Sequence, residues 1–362
     1  MVIIGTLTQA LLYVCYAMLM GSFILDLVPN KHRPVVHVPK KILLFSLGGI
    51  VIFSFIPVLQ LILYLSSLRG FLEALPLVLL TFETGKSWFF CFIVSIIFFF
   101  FLLHSDNEKK SHNFIGILLT FILICSMGWS SHASSISPIK GFFSDTVHFT
   151  AVSVWVGVIL VVSWFSKGES NWLPFLSWFT PTAIFCLGLT IISGFLLMDL
   201  VVDYESYFNS WMIPYGQALL LKHLLIIPLL VYAMINGVLI RNKLKKDIKF
   251  KPRSWVKVES IVILLIFSAT AALGQQSPPK ETAITNETIS KMTSLFFRGD
   301  VVPDIQVQIS IHLNSIILLI FALLFLVLLV LSFINKRHVI LSFCMCLLSV
   351  ISLYISLMLS ME

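Results

Sequence analysis

Residues 143–157 read FSDTVHFTAVSVWVG, and how this stretch is read decides the fold. Most of it is apolar enough to lie in a bilayer, yet Asp145 and His148 stand three residues apart near its start and Trp155 follows seven after the histidine. The surrounding chain is richer still in apolar residues. Of 362 residues, 58% are hydrophobic and only 11% are charged, where soluble domains carry about a quarter. Apolar runs of about 20 residues, each long enough to cross ~30 Å of hydrocarbon, recur along the whole length. The pattern predicts an all-α, polytopic transmembrane helix bundle, and 143–157 then belongs to one of its spans.

Ten spans are expected, at about 4–27, 42–66, 87–104, 113–131, 143–165, 176–200, 215–239, 255–274, 312–334 and 339–359. The first lacks a basic leader and a small-residue cleavage site, so it is read as a span and not as a removed signal peptide. Lys and Arg crowd into alternate connections: Lys31, Arg33, Lys40 and Lys41; Lys109 and Lys110; Lys167; a run from Arg241 to Lys257 that includes Lys249; and Lys336 with Arg337. These hold seventeen of the 24 basic residues. By the positive-inside rule that side is cytoplasmic, and both termini are extracytoplasmic. The net charge of +7 is thus a topology signal, and nucleic acid is not an expected partner; membrane lipid is.

The other connections differ in character. Residues 69–80, RGFLEALPLVLL, are too short to span and are expected to lie at the interface or dip in. Residues 130–142 are small and polar, 201–214 acidic and aromatic, and 275–311 form the longest polar segment. No segment suggests a soluble catalytic domain or a phosphate-cradling glycine loop, so ATP-driven pumping by this chain alone is excluded and no enzyme activity is expected. All six cysteines fall in apolar runs, which argues against a disulfide framework.

Ionisable residues at membrane depth are costly and therefore mark function. Asp145 and His148 share a helix face at i, i+3, and Val152 and Trp155 continue it. Asp145 in a supporting role would accept one ring N–H of His148 and leave the other nitrogen to a metal. His132, in GWSSHAS, lies at the end of the preceding span, one short connection away. Lys222 and His223 sit about a dozen ångströms into the seventh span at 1.5 Å per residue, with Tyr215 on the lysine's face. Lys222 would hold a site open by its charge or pair with Asp145 or Asp199. Met198 and Met212 flank the acidic connection. Thioether and imidazole together suit Cu(I) better than Ca²⁺ or Mg²⁺. Glu259 is expected to pair with the basic loop before it.

Taken in order, several stretches resemble the copper-resistance protein D (CopD) family. They are LTFETGKSWFFCFIVS (80–95), WSSHAS (129–134, with Ser131 where glycine is common), DTVHFTAVSVWVGVIL (145–160) and PFLSWFTPTAIFCLGLTIISGF (174–195), followed by YGQALLLKHLLIIPLLVYAMINGVLIRNK (215–243) and WVKVESIVILLIFSATAALGQQSPP (255–279). The resemblance divides the chain into N-terminal spans (1–79), a CopD-like core (80–279), an extracytoplasmic loop (280–311) and a C-terminal two-span hairpin (312–362). It implies a multi-pass protein of the bacterial cytoplasmic membrane that imports copper, with a separate extracytoplasmic chaperone or the free ion as donor. On that reading the ligands are His132, His148 and His223, supported by Met198 and Met212. Asp145, Lys222, Asp199, Trp155 and Tyr215 lie around them. Two other classes stay open at this stage. One is a haem b electron-transfer protein or cupric reductase with His148 and His223 as axial ligands. The other is a factor that delivers copper to an oxidase.

Overall fold

The computed structural model describes residues 2–104, 110–247, 250–297 and 306–362. Lys109 and Lys249 of the charge pattern and part of the 280–311 loop lie outside them. The described chain is almost wholly helical. In chain order it contains α1 (Val2–Leu27), α2 (Lys40–Arg69), α3 (Phe71–Thr81), α4 (Glu83–His104), α5 (Lys110–Trp129), α6 (His132–Ile136) and α7 (Pro138–Phe165), followed by α8 (Trp172–Val201), α9 (Tyr207–Ser210), α10 (Pro214–Met234), α11 (Ile240–Lys246), α12 (Arg253–Leu273), α13 (Leu313–Ile334) and α14 (Val339–Met358). One π-helical turn, Ile235–Leu239, joins α10 to α11 into a continuous rod. Ten of these helices are long and apolar enough to cross a membrane, and they coincide with the ten expected spans.

Local chemistry sets the helix ends. Pro138 and Pro214 stand in the first turns of α7 and α10, where a missing N–H costs nothing. Gly70, at φ +84°, turns the chain from α2 into α3. At eleven residues α3 is too short to span, as its sequence predicts. Ser131 caps α6 by accepting from the Ser134 N–H at 3.2 Å.

The chain forms two compact units, residues 3–200 and 201–362. In the first, α1 and α7 are the interior helices. Their backbones cross in direct contact: a Cβ on Gly21 would fall 2.1 Å from the Gly157 carbonyl carbon, and one on Gly157 would fall 2.2 Å from the Ala17 oxygen. Small residues let membrane helices approach this closely, and van der Waals packing and interhelical hydrogen bonds drive the association. Tyr16 adds an edge-on ring contact with Phe149 and donates to the Leu123 carbonyl of α5. Gly141 of α7 lies against the Ala133 carbonyl of α6, and Gly128 of α5 against Thr146. At the far end of this unit the connections after α1 and α7 meet. Strand β1 (Val35–Val36) pairs antiparallel with β2 (Ser166–Lys167), and Lys40 donates to the Leu103 carbonyl of α4. The basic connections of this unit therefore gather at one end, as alternating spans require.

In the second unit α13 and α14 form a hairpin, α10 packs on α12, and α14 contacts both. Its core joins Trp211, Met212, Leu220, Leu224 and Leu225 to Val350, Met358 and Met361. The polar 275–311 segment folds back on this core: Ser290 N–H donates to the Met212 carbonyl and the Thr293 hydroxyl to the Trp211 carbonyl. Gln308 and Glu362 exchange two backbone hydrogen bonds, which ties the C-terminus to the loop.

Adding a methyl at Gly157 forces two backbones apart, whereas a methyl added at Gly188 would meet nothing within 4 Å. Overpacking of this kind costs about 1–3 kcal/mol. Gly157→Ala will lower the thermal unfolding midpoint of the detergent-solubilised protein, and Gly188→Ala will leave it unchanged or slightly raised. Differential scanning fluorimetry measures both.

Candidate functional site

His148 is half-buried on α7, and its ring is anchored by α8. Nδ1 lies 3.1 Å from the Thr190 carbonyl oxygen and 3.1 Å from the Ser193 hydroxyl oxygen. A carbonyl only accepts, and the Ser193 hydroxyl already donates to the Leu189 carbonyl at 2.6 Å. Nδ1 therefore carries the proton, and in the neutral ring the lone pair sits on Nε2. This is the arrangement in which metal-ligating histidines are held, with the second nitrogen donating to a backbone acceptor. The sequence gives an orienting role to Asp145; Thr190 and Ser193 of α8 are partners of the ring that it did not name. Asp145 lies within electrostatic reach of the Tyr13 phenol of α1, which accepts from Gln9 at 2.7 Å.

The antiparallel register of α7 and α8 places the other candidates. Lys140 of α7 pairs with Asp199 of α8 at 2.7 Å, and His148 meets Thr190 and Ser193. Met198, half-buried, therefore stands about two helical turns from His148 toward the α7 start, level with Gly141. Ala133 packs on Gly141, which brings the α6 segment bearing exposed His132 to the same level. The α6 segment bearing His132 and the α8 turn bearing Met198 thus lie at about the level of Gly141, and His148 lies about 10 Å deeper along α7. Trp155, two turns further in, is buried. The Lys140–Asp199 pair is 42% and 49% exposed, so it contributes less than about 1 kcal/mol and serves to set register. It gives Asp199 a partner that the sequence reading did not name.

His223, Lys222, Tyr215 and Met212 belong to the second unit. His223 Nδ1 is 2.8 Å from the hydroxyl of Tyr207 on α9, which packs edge-on against Trp211. Burial raises the Tyr207 phenol above its ordinary range, so it remains a neutral O–H. Lys222 is half-buried and Tyr215 buried. Met212 is fully buried in the apolar core, where its thioether is a packing group. Among the described residues no three His, Cys, Asp or Glu side chains converge on one point.

Sequence reasoning missed two polar features. Glu259 is buried on α12 and accepts from Asn236, not from the basic loop. All six cysteines are free thiols. Among them, Cys91 of α4 sits in a serine-lined interior formed by Ser54, Ser95 and Ser126, beside Tyr16. Serines scattered over three apolar spans give no periodic signal that would announce their convergence.

Residues 173–273, from the start of α8 to the end of α12, match the family model described as copper resistance protein D. Over 172 residues the chain is 27% identical to the copper transport protein CutJ of Bacillus subtilis (strain 168). That alignment covers 45% of this chain and 31% of CutJ, so it spans about a third of the relative's length. No solved structure matches the chain. The matched region holds Met198, Asp199, Met212, Tyr215, Lys222, His223 and Glu259; His132 and His148 precede it. With ten membrane-crossing helices and the family's region running from α8 through α12, the chain is a multi-pass bacterial cytoplasmic-membrane protein that carries the copper resistance protein D signature.

Proposed function

We propose that the protein moves copper inward across the cytoplasmic membrane, with His148 as the ligand that receives the ion from the outer mouth of the first unit. The observation that carries this reading is the held tautomer of His148. The Thr190 carbonyl and Ser193 hydroxyl take up Nδ1–H, so in the neutral ring Nε2 carries the lone pair with which an imidazole binds a metal. His132 and Met198, one level further out, supply an imidazole and a thioether, donors that favour copper over hard cations. Copper as the cargo is supported by the likeness to the copper resistance protein D family and to CutJ.

The absence of three converging ligands among the described residues suits a carrier, because conduction requires sites weak enough to release their ion. Ligand exchange from His132 and Met198 to His148 would advance copper about 10 Å along α7. Charge patterning supports an outward-facing α6 end of α7, where a separate copper chaperone or the free ion would be the donor. Movement then runs downhill or is coupled to an ion gradient.

The test is copper uptake into proteoliposomes, alongside metal and haem analysis of the purified protein. The double variant His132→Ala, His148→Ala is expected to lose at least about tenfold in copper affinity, since removing even an outer partner of a metal ligand costs 10–100-fold. Uptake should fall with it. Unchanged binding and uptake would overturn the proposal. A Soret band with one bound iron per chain would replace it with electron transfer through haem, and binding without flux would replace it with delivery to an oxidase. Independently, ¹⁵N spectra of histidine-labelled protein at neutral pH should show His148 protonated on Nδ1. An Nε2–H pattern would contradict the held tautomer.

A further inference from the structure

Glu259 is 3% exposed on α12, about 9 Å from the basic start of that helix. Among the described residues its one hydrogen bond comes from the Asn236 amide, whose Nδ2 lies 2.6 Å from Oε2. Asn236 is itself 5% exposed and stands in the π-helical turn Ile235–Leu239. Its Oδ1 is buried and has no hydrogen-bond partner among the described residues. A π-turn inside a spanning helix is a rare feature found mostly at functional sites.

Two titratable groups on the neighbouring helix have partners other than Glu259. Tyr232 on α10 bonds the Ser342 hydroxyl of α14 at 2.8 Å. On α11, Lys243 stands over the rings of Phe250 and Phe333 at 4.7 and 5.0 Å. Arg241 on α11, Arg253 and Lys257 on α12 and Cys344 and Cys346 on α14 make no hydrogen bond or ion pair with Glu259 among the described residues, and α13 carries no ionisable side chain. A buried carboxylate without a cation is expensive. An asparagine beside it changes the balance, because its amide offers a donor on one edge and an acceptor on the other. With Glu259 ionised, Nδ2–H donates to Oε2. With Glu259 protonated, rotation of the amide by about 180° lets the carboxyl O–H donate to Oδ1, the atom without a hydrogen-bond partner among the described residues.

We infer that Glu259 and Asn236 form a proton-binding site that takes up one proton from the aqueous phase and releases it again, coupling the transport cycle to the proton gradient. The carboxylate gains the proton and no other covalent bond is made or broken; the amide follows by rotation, giving up its Nδ2 hydrogen bonds to Oε2 and to the Trp255 carbonyl, the latter at 3.5 Å. The coupling rests on the copper-transport reading; proton binding itself does not.

Infrared difference spectra of the full-length protein between acid and alkaline pH test the site without copper. The wild type should show a protonated-carboxyl C=O band that shifts in D₂O and is lost in Glu259→Gln. In Asn236→Ala, which removes the donor to the ionised form, the band should persist to higher pH. A spectrum unchanged by Glu259→Gln would overturn the site, whatever the protein transports. In proteoliposomes, a pH gradient should alter the rate of copper uptake by the wild type and leave Glu259→Gln indifferent. Equal gradient responses would overturn the coupling. A wild type that moves no copper would overturn the transport reading and with it the coupling, while the infrared result would still decide the proton site.

Discussion

The backbones of α1 and α7 touch at Gly21 and Gly157, and the geometry of the first unit follows from that contact. In hydrocarbon there is no hydrophobic gain in pressing one apolar helix against another; close packing and internal hydrogen bonds must hold the bundle. Two residues without a Cβ allow the helices to cross within van der Waals distance. The crossing buries the inner half of α7 from Trp155 to Ser163. With α7 fixed, Gly141 receives α6, Gly128 of α5 meets Thr146, and His148 is left facing α8. A bulkier residue at either crossing position would shift the whole α7 rod and with it the imidazole.

Ionisable residues in this protein have two kinds of partner, according to position. Near the ends of helices they form ordinary ion pairs, as in Arg33–Asp26, Lys86–Glu83, Lys140–Asp199 and Lys280–Asp203. Within the spans, hydrogen bonds to neutral groups are found as well: a carbonyl and a hydroxyl at His148, a phenol at His223 and an amide at Glu259. A counter-charge at depth would fix the protonation state, because separating the pair in a low dielectric costs several kcal/mol. Neutral partners orient the side chain and leave it able to bind a cation or a proton.

The spans were legible because twenty apolar residues in a row have few alternatives to crossing a bilayer, and all ten helices lie where hydropathy put them. The polar stretch at 143–157 stands out for a related reason: aspartate and histidine are rare at that depth. The partners were not legible. Thr190 and Ser193 look like ordinary small residues of an apolar helix, and a main-chain carbonyl leaves no trace in sequence. Asp145 is the obvious acceptor by i, i+3 spacing, but α8 supplies the groups on Nδ1. Glu259 has a basic loop six residues away, yet the π-turn gives it Asn236 from the adjacent helix, and nothing in INGVL announces that turn. Met212 was drawn toward the site by its sulfur and by its place in the chain; the core of the second unit claims it instead.

The central claim is that copper is bound through the Nε2 of His148. X-ray absorption spectroscopy of the copper-loaded protein tests it most directly, because imidazole scattering beyond the first coordination sphere identifies histidine ligands. The account predicts imidazole scattering in the wild type that diminishes in His148→Ala while the Ser22→Ala control, remote from the ring, keeps it. Identical spectra for wild type and His148→Ala would contradict it.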